Sequence, residues 1–357
     1  VTVDTIARRT AADRFLAARF SSPSSAPGEA GDGTLDSGVT LVVCTHERPL
    51  PMRRLLRSLA AQDRHADVLL VVDASRGDET ERVLRERLAA MRLARAVHYW
   101  RVSGPLRGLT RQRNFALDHV TTDLVAFFDD DVVMGPHCLH DMERAMRSSG
   151  LVVGVGCVGD EGDAAPSRLW RLRRALGIVP SLEGGRYWSS GMSTPWSCEA
   201  SEPAREGDWL HGFAMMWRSH EARAERFDES FPGYAQGEDL DFSLRMRRRG
   251  RLVMLGPGRL RHLPEPAGRP DPFRLGCSEI VNRHRIHCRV FPERRWRDVA
   301  MFAYAWGLDT VMLARHAVAP ARAGGAVRQI AGRVGGALMV ALANGARGRA
   351  PGNTHVG

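Results

Sequence analysis

Three consecutive aspartates, Asp129, Asp130 and Asp131, follow an apolar run in the stretch "AFFDDDVV" at residues 126–133. Adjacent like charges repel, so a cluster behind a buried strand needs a reason beyond stability. In extended geometry Asp129 and Asp131 share one side and Asp130 takes the other. Two same-side carboxylates suit a hard divalent cation that keeps open positions for phosphate oxygens. Such a cation neutralises a diphosphate and helps it leave. The alternative is a cap for the helix at "GPHCLHD", with the charges solvated.

A second acidic group, "GYAQGEDLDFSLRMRRRG", places Glu238, Asp239 and Asp241 at a helix start. Acids there complement the helix dipole, but three within four residues exceed what capping needs. One of them is positioned to take a proton from an incoming hydroxyl. Asp73 ends the run "LLVVD", where a carboxylate accepts hydrogen bonds from a base or ribose, or simply closes a turn. Asp78 reads as a helix-start residue. His262, in "LVMLGPGRLRH", is an isolated histidine of interest only beside a metal. The pairs His137/His140 and His284/His287 lack supporting acids or cysteines and read as non-metal.

These residues need elements to hold them. "GVTLVVCTHERP" reads as a buried strand running into a helix opened by Pro49. The same rhythm recurs through "DVLLVVD", "AVHYWRV", "DLVAFFD" and "LVVGVGCVG", each followed or preceded by a helical pattern. Apolar strands alternating with helices predict an α/β fold with a mostly parallel sheet covered on both faces. Ligands in such sheets bind beyond the carboxyl ends of the strands, where Asp73 and the aspartate triplet fall. Residues 1–37 read as a flexible leader, with a short amphipathic helix as one option for "ARRTAADRFLAARF". Between 159 and 208 periodicity fails, although Trp170, Trp188 and Trp196 argue against plain disorder. Trp209 follows directly. These tryptophans either cover a sugar acceptor or form a small local core. Residues 271–357 read as a helical extension of three helices, arginine-rich and amphipathic in its last two, which suits docking on an anionic membrane surface or a lipid-linked acceptor, or else a dimer interface or a helical lid on the sheet.

The 357 residues carry a net charge of +10 supplied wholly by arginine, with no lysine. Hydrophobic and charged fractions of 43% and 26% are globular values. An arginine surplus favours anionic partners, but no zinc-finger, RNP-like or basic-zipper pattern supports nucleic acid. The six cysteines (Cys44, Cys138, Cys157, Cys198, Cys277, Cys288) form no CxxC pair, which fits a reducing compartment. No signal-peptide pattern opens the chain, and no window of about 18 uncharged apolar residues stands out. The expected location is the cytoplasm, with a peripheral position at the inner face of the membrane as an extension of that reading.

Taken together, "VTLVVCTHERP", "LLVVDASRGDET", "GLTRQRNFALDHVTTDLVAFFDDDV", "FDESFPGYAQGEDLDFSLRMRRRG" and "RLVMLGPGRLRH" resemble, in order and spacing, family 2 glycosyltransferases of the GT-A fold. The resemblance covers about residues 38–265. It implies a GT-A domain over 38–270 with a Rossmann-like nucleotide-binding half, the 159–208 stretch being an irregular insertion. It further implies a nucleotide-sugar donor, UDP- or dTDP-linked by default, and inverting transfer with Mg2+ or Mn2+. The acceptor would be a hydroxyl of a glycan, a lipid-linked saccharide or a small molecule.

By the same resemblance Thr45, His46, Glu47 and Arg48 line the nucleotide pocket and Asp73 meets the base. Arg113 and Asn114 shape the donor site. Asp131 is the metal ligand, with Asp129 on ribose or metal, Asp130 in the nucleotide-sugar site and His262 near the metal or diphosphate. Asp239 is the base, Glu238 supports it, and Arg245 follows on the same helix. His46 and Glu47 depart from the aromatic and asparagine frequent in the first motif. The competing functions are a non-catalytic carbohydrate- or nucleotide-binding protein on this fold and a retaining transferase. A sugar-nucleotidyltransferase would want a glycine-rich loop that "CTHERPLPMRR" lacks.

Overall fold

The computed structural model describes residues 4–5, 17–21, 35–159, 167–196, 204–231, 233–265, 271–293, 295–315 and 320–347. In chain order the strands are β1 Asp4–Thr5, β2 Ala17–Ser21, β3 Asp36–Thr45, β4 Ala66–Asp73, β5 Ala94–Arg101, β6 Thr122–Asp129 and β7 Val132–Met134. After them come β8 Val152–Cys157, β9 Ala204–Gly207, β10 Ala214–Arg218, β11 Arg251–Leu255 and β12 Leu260–His262. The helices are α1 Pro49–Ala60, α2 Glu79–Ala90, α3 Leu109–Asp118, α4 Cys138–Arg147, α5 Arg168–Ala175, α6 Ser219–Glu225 and α7 Glu238–Met246. The last three are α8 Pro272–Val290, α9 Trp296–Leu313 and α10 Pro320–Arg347. They fall into two compact units, one of residues 1–168, 183–186 and 194–268, the other of 169–182, 187–193 and 269–357.

The first unit is built on one sheet in the order β1-β2-β5-β4-β3-β6-β10-β8-β11-β9. β3 is central: Val39 to Val43 are fully buried because both faces are covered, which is why the run does not alternate. α1 lays Met52, Leu55, Leu56 and Leu59 on the core, the i, i+3, i+4, i+7 pattern of a one-sided helix. Burying four such side chains contributes about 1.5–3 kcal/mol each.

The strands β5, β4, β3 and β6 run parallel as expected and β2 joins parallel to β5, but β10 enters antiparallel between β6 and β8, and β9 is antiparallel to β11. Because β10 is reversed, its first residues lie at the carboxyl end of β6, with Ala214 opposite Phe128. A separate ribbon pairs β7 with β12 and sets His262 opposite Val132. Those two pairings build the site.

Two expectations change. Residues 17–20 of the stretch given a helical option are strand, and 6–16 lie outside the described residues. Within 159–208, α5 and β9 are regular elements. Trp196 and Trp209 are buried in the first unit, with Gly185 and Gly207 leaving space for the Trp196 ring and Trp196 Nε1 donating to the Trp209 carbonyl at 3.1 Å. Trp170 and Trp188 pack in the second unit against a cluster that includes Ile178, Phe302 and Trp306. The local-core reading of the tryptophans is what the chain builds. Five described cysteines are free thiols; Cys198 lies outside the described residues.

In the second unit α8 and α10 approach closely. Gly276 and Gly332 have no room for a Cβ against the facing backbone, and one on Gly336 would sit 2.8 Å from the Cys277 carbonyl. Arg333, 7% exposed, crosses to Glu279 at 2.6 Å and Asp309 at 3.1 Å, while Arg173 also pairs with Asp309. The stretch Ala323–Ala343 is long and apolar enough to cross a membrane by length and composition. It escapes a search for uncharged windows because Arg328 and Arg333 fall inside it.

Candidate active site

Asp129 ends β6 and Asp131 lies two residues on, at the turn into β7. The ribbon then brings His262 to them. One ligand atom from each of Asp129, Asp131 and His262 lies within 4.8 Å of the others. His262 Nε2 is 3.2 Å from Asp131 Oδ1, and among the described residues that oxygen is buried without a hydrogen-bond partner. Its mate Oδ2 accepts from the Glu265 N–H at 3.2 Å and Arg48 Nη1 at 3.3 Å. Burial opposes ionisation of Asp131, yet His262, the Glu265 amide and Arg48 hold its carboxyl below the ordinary value. Two carboxylates and one imidazole with a buried, unfilled oxygen form a donor set that fits a divalent cation.

Asp130 points the other way. Its Oδ2 accepts from Thr45 Oγ1 at 2.6 Å and its Oδ1 from Arg48 Nη1 at 3.1 Å, so it ties the end of β6 to the end of β3. Burial pushes its carboxyl up to about 7, against the pull of Thr45 and Arg48. The triplet therefore faces two ways, Asp129 and Asp131 toward His262 and Asp130 toward the end of β3.

Arg113, one turn into α3, is 1% exposed. It pairs with Glu238, reaches Asp129 at 3.2 Å, donates to the Gly212 carbonyl at 2.9 Å and lies near the Phe127 and Phe227 rings. Burial pushes the Glu238 carboxyl up to about 8 although Arg113 draws it down. Arg113 is thus a strut between the two acidic groups. In Arg113→Met those carboxylates lose their counter-charge, and breaking a buried pair costs about 3–5 kcal/mol. Urea denaturation checks it; a loss below about 0.5 kcal/mol, the range of ordinary surface changes, contradicts the strut.

α7 starts after Gly237, whose φ of +84° is left-handed backbone open to glycine. Glu238 turns inward and Asp239 stays half-buried. Asp239 Oδ2 accepts from the Gly212 N–H at 3.0 Å and Oδ1 from the Leu240 N–H at 2.8 Å. One peptide unit, Gly212, therefore touches Asp239 through its amide and Arg113 through its carbonyl. A Cβ there would lie 3.0 Å from Asp239 Cβ and 3.2 Å from Glu238 Oε1. Gly212→Ala should displace the Asp239 carboxylate, lowering turnover about tenfold or more with little change in melting temperature. Unchanged turnover would exclude this positioning.

The other sequence candidates are dispersed. His46 and Glu47 are exposed beside the end of β3; Glu47 has φ +54° and is tied to Ser75 and Arg76. Asp73 is fully buried, accepting from the Ser75 N–H at 2.8 Å and the Tyr99 hydroxyl at 2.8 Å. Asn114 engages Phe227 through both its carbonyl and its amide, and Glu229 through the amide, clamping the loop before α7. Arg245 binds Asp241, Glu225 and the Arg226 carbonyl. These groups shape the surroundings through protein contacts.

Sequence reasoning missed a row of rings. Trp209, His211 and Phe213 alternate ahead of β10, and Phe213 stacks on His262 at 4.5 Å and on His211 at 4.7 Å. Burial lowers His211 to about 4, so its ring is neutral. The two-residue spacing in "WLHGF" was the available signal.

The sequence model described as glycosyl transferase family 2 matches residues 40–198. The succinoglycan biosynthesis protein ExoM of Rhizobium meliloti (strain 1021) is 28% identical over 235 residues, 65% of this chain and 68% of that protein. Among solved structures, the mannosyltransferase PcManGT from Pyrobaculum calidifontis, in complex with GDP-Man and Mn2+, is similar with a TM-score of 0.51. That match has 16% identity and covers 85% of this chain and 89% of the other. Glucosyl-3-phosphoglycerate synthase from Mycobacterium tuberculosis, in complex with Mn2+, UDP and glucosyl-3-phosphoglycerate, gives a TM-score of 0.44 at 17% identity. It covers 75% of this chain and 80% of that one.

Proposed function

Because this chain is a glycosyltransferase with a family 2 domain over residues 40–198, we propose that it moves a sugar from a nucleotide-diphosphate donor to an acceptor hydroxyl with inversion. The donor is UDP- or dTDP-linked. The acceptor hydroxyl belongs to a glycan, a lipid-linked saccharide or a small molecule. The reaction runs in the cytoplasm, at or near the inner face of a membrane. The observation that carries this reading is the meeting of Asp129, Asp131 and His262 at the end of β6, with Asp239 linked to the same place through Gly212 and Arg113.

Asp131, Asp129 and His262 would hold Mg2+ or Mn2+, which when bound neutralises charge on the donor diphosphate. Arg113 keeps Asp129 and Glu238 in place. Thr45 and Arg48 fix Asp130 and so the end of the aspartate loop. Asp239 takes the proton of the acceptor hydroxyl as its oxygen bonds to the anomeric carbon and the bond from that carbon to the diphosphate oxygen breaks. The transition state is oxocarbenium-like by analogy with glycoside cleavage. The Gly212 N–H orients the Asp239 carboxylate for that transfer. Glu238, buried on Arg113, supports the base without facing the acceptor.

Thermal denaturation with UDP, dTDP, GDP and ADP, each with Mn2+ and again with EDTA, tests the donor site. A rise in melting temperature for one nucleotide, present only with metal, is the expected result and names the donor class. No rise with any of them, at concentrations far above ordinary dissociation constants, would favour the non-catalytic reading.

A further inference from the structure

We propose that α10 docks in the plane of an anionic phospholipid bilayer, its outward face forming the contact; this rests on the reading above that the reaction runs at the inner face of a membrane. Val327, Ala331, Val334, Leu338 and Leu342 recur at steps of four and three, so they occupy one side of the helix over about 22 Å. All five are exposed, Leu338 by 60% and Leu342 by 74%. A helix face this apolar is ordinarily covered.

The opposite face of α10 shows why the helix lies along a surface and does not cross. Gly332 and Gly336 seat it on α8, and Arg333 is held by Glu279 and Asp309. Crossing would carry that buried ionic cluster into hydrocarbon, where charges are costly. Arg328, on the flank, is held by Asp271 at 2.5 Å.

Charge selects the lipid. Residues 271–357 contain thirteen arginines and five acidic residues, a surplus that draws the unit to an anionic leaflet. A second copy is the rival occupant. Two arginine-rich units would repel, and a helix seam needs charged flanking positions to fix its partner. From 323 to 343 the only charges are Arg328 and Arg333, which leaves a pairing helix little to recognise. An apolar face beside a cationic unit is the pattern of an interfacial helix.

The test is co-sedimentation of the full chain with vesicles of phosphatidylcholine alone or mixed with phosphatidylglycerol, comparing wild type with Leu338→Glu/Leu342→Glu. Both side chains are exposed, so the variant should fold; its melting temperature and its metal-dependent nucleotide shift are read in parallel. Wild type should partition onto the mixed vesicles, and the variant about tenfold less, with the nucleotide shift unchanged. Equal partition of wild type and variant would overturn the proposed face. Equal partition onto both vesicle types would overturn the anionic requirement. No vesicle binding by wild type would overturn the proposal outright, and light scattering showing a dimer that the variant dissociates would assign the face to a second copy. Loss of the nucleotide shift in wild type would instead count against the transfer reaction, which vesicle binding does not report.

Discussion

Asp239→Asn leaves metal-dependent nucleotide binding intact and lowers the rate of sugar transfer by about 10²–10⁴-fold, the usual worth of a positioned general base. The substitution is nearly isosteric. Its amide oxygen can still accept from the Gly212 and Leu240 amides, so α7 should start as before. What is lost is the capacity to accept the hydroxyl proton. Glu238 is not placed to stand in, because its carboxyl is buried on Arg113 whereas Asp239 is half-exposed. The loss should therefore fall on kcat, with the nucleotide shift at its wild-type value. A variant that transfers sugar at the wild-type rate would remove the base assignment.

The second large effect concerns Asp131. Its Oδ1 is buried 3.2 Å from His262 Nε2 and takes no other hydrogen bond among the described residues, and its Oδ2 is engaged by Glu265 and Arg48. Asp131→Asn keeps volume and at least one acceptor, so folding should survive. It removes a formal charge from a donor set that also contains Asp129 and His262. Changes that merely disturb the partners of a ligand weaken metal sites about 10–100-fold. Loss of the ligand itself should exceed that and abolish the metal-dependent part of nucleotide binding. EDTA added to wild type should reproduce the variant. A wild-type response of Asp131→Asn to nucleotide and metal would mean that the aspartate serves the loop alone.

Much of this site was legible because its two acidic groups sit where residue pattern and element type coincide. Asp129 closes an apolar strand, and Glu238 to Asp241 open a helix behind a glycine. The strand rhythm through β3, β4, β6 and β8 was equally open to reading, since those runs are largely buried on both faces, while β5 was readable from its buried Val97 and Tyr99 alternating with half-buried neighbours. Strand direction was not. "AMMWR" reads the same whichever way β10 runs, and only its pairing with Phe128 and Gly156 reveals the reversal. That reversal delivers His211, Gly212 and Phe213 to the aspartates, so their roles stayed hidden with it.

Arg113 and Asn114 show a different limit. The family resemblance alone places both at the donor site. Burial then assigns Arg113 to a strut and Asn114 to a clamp on the 227–229 loop. A cation and an amide look alike in a sequence whether they face a ligand or the protein. Asp73 is similar: its position at the end of β4 was readable, whereas the Tyr99 hydroxyl that meets it comes from β5.

The account stands most directly on whether Asp129, Asp131 and His262 bind one divalent cation that supports nucleotide binding. Electron paramagnetic resonance of Mn2+ titrated with the protein and UDP or dTDP measures this through loss of the free-ion signal. The account predicts one Mn2+ bound per chain in wild type, strengthened by the nucleotide, and a signal left free in Asp131→Asn. Equal Mn2+ binding by wild type and Asp131→Asn, or none by wild type with any nucleotide, would contradict it.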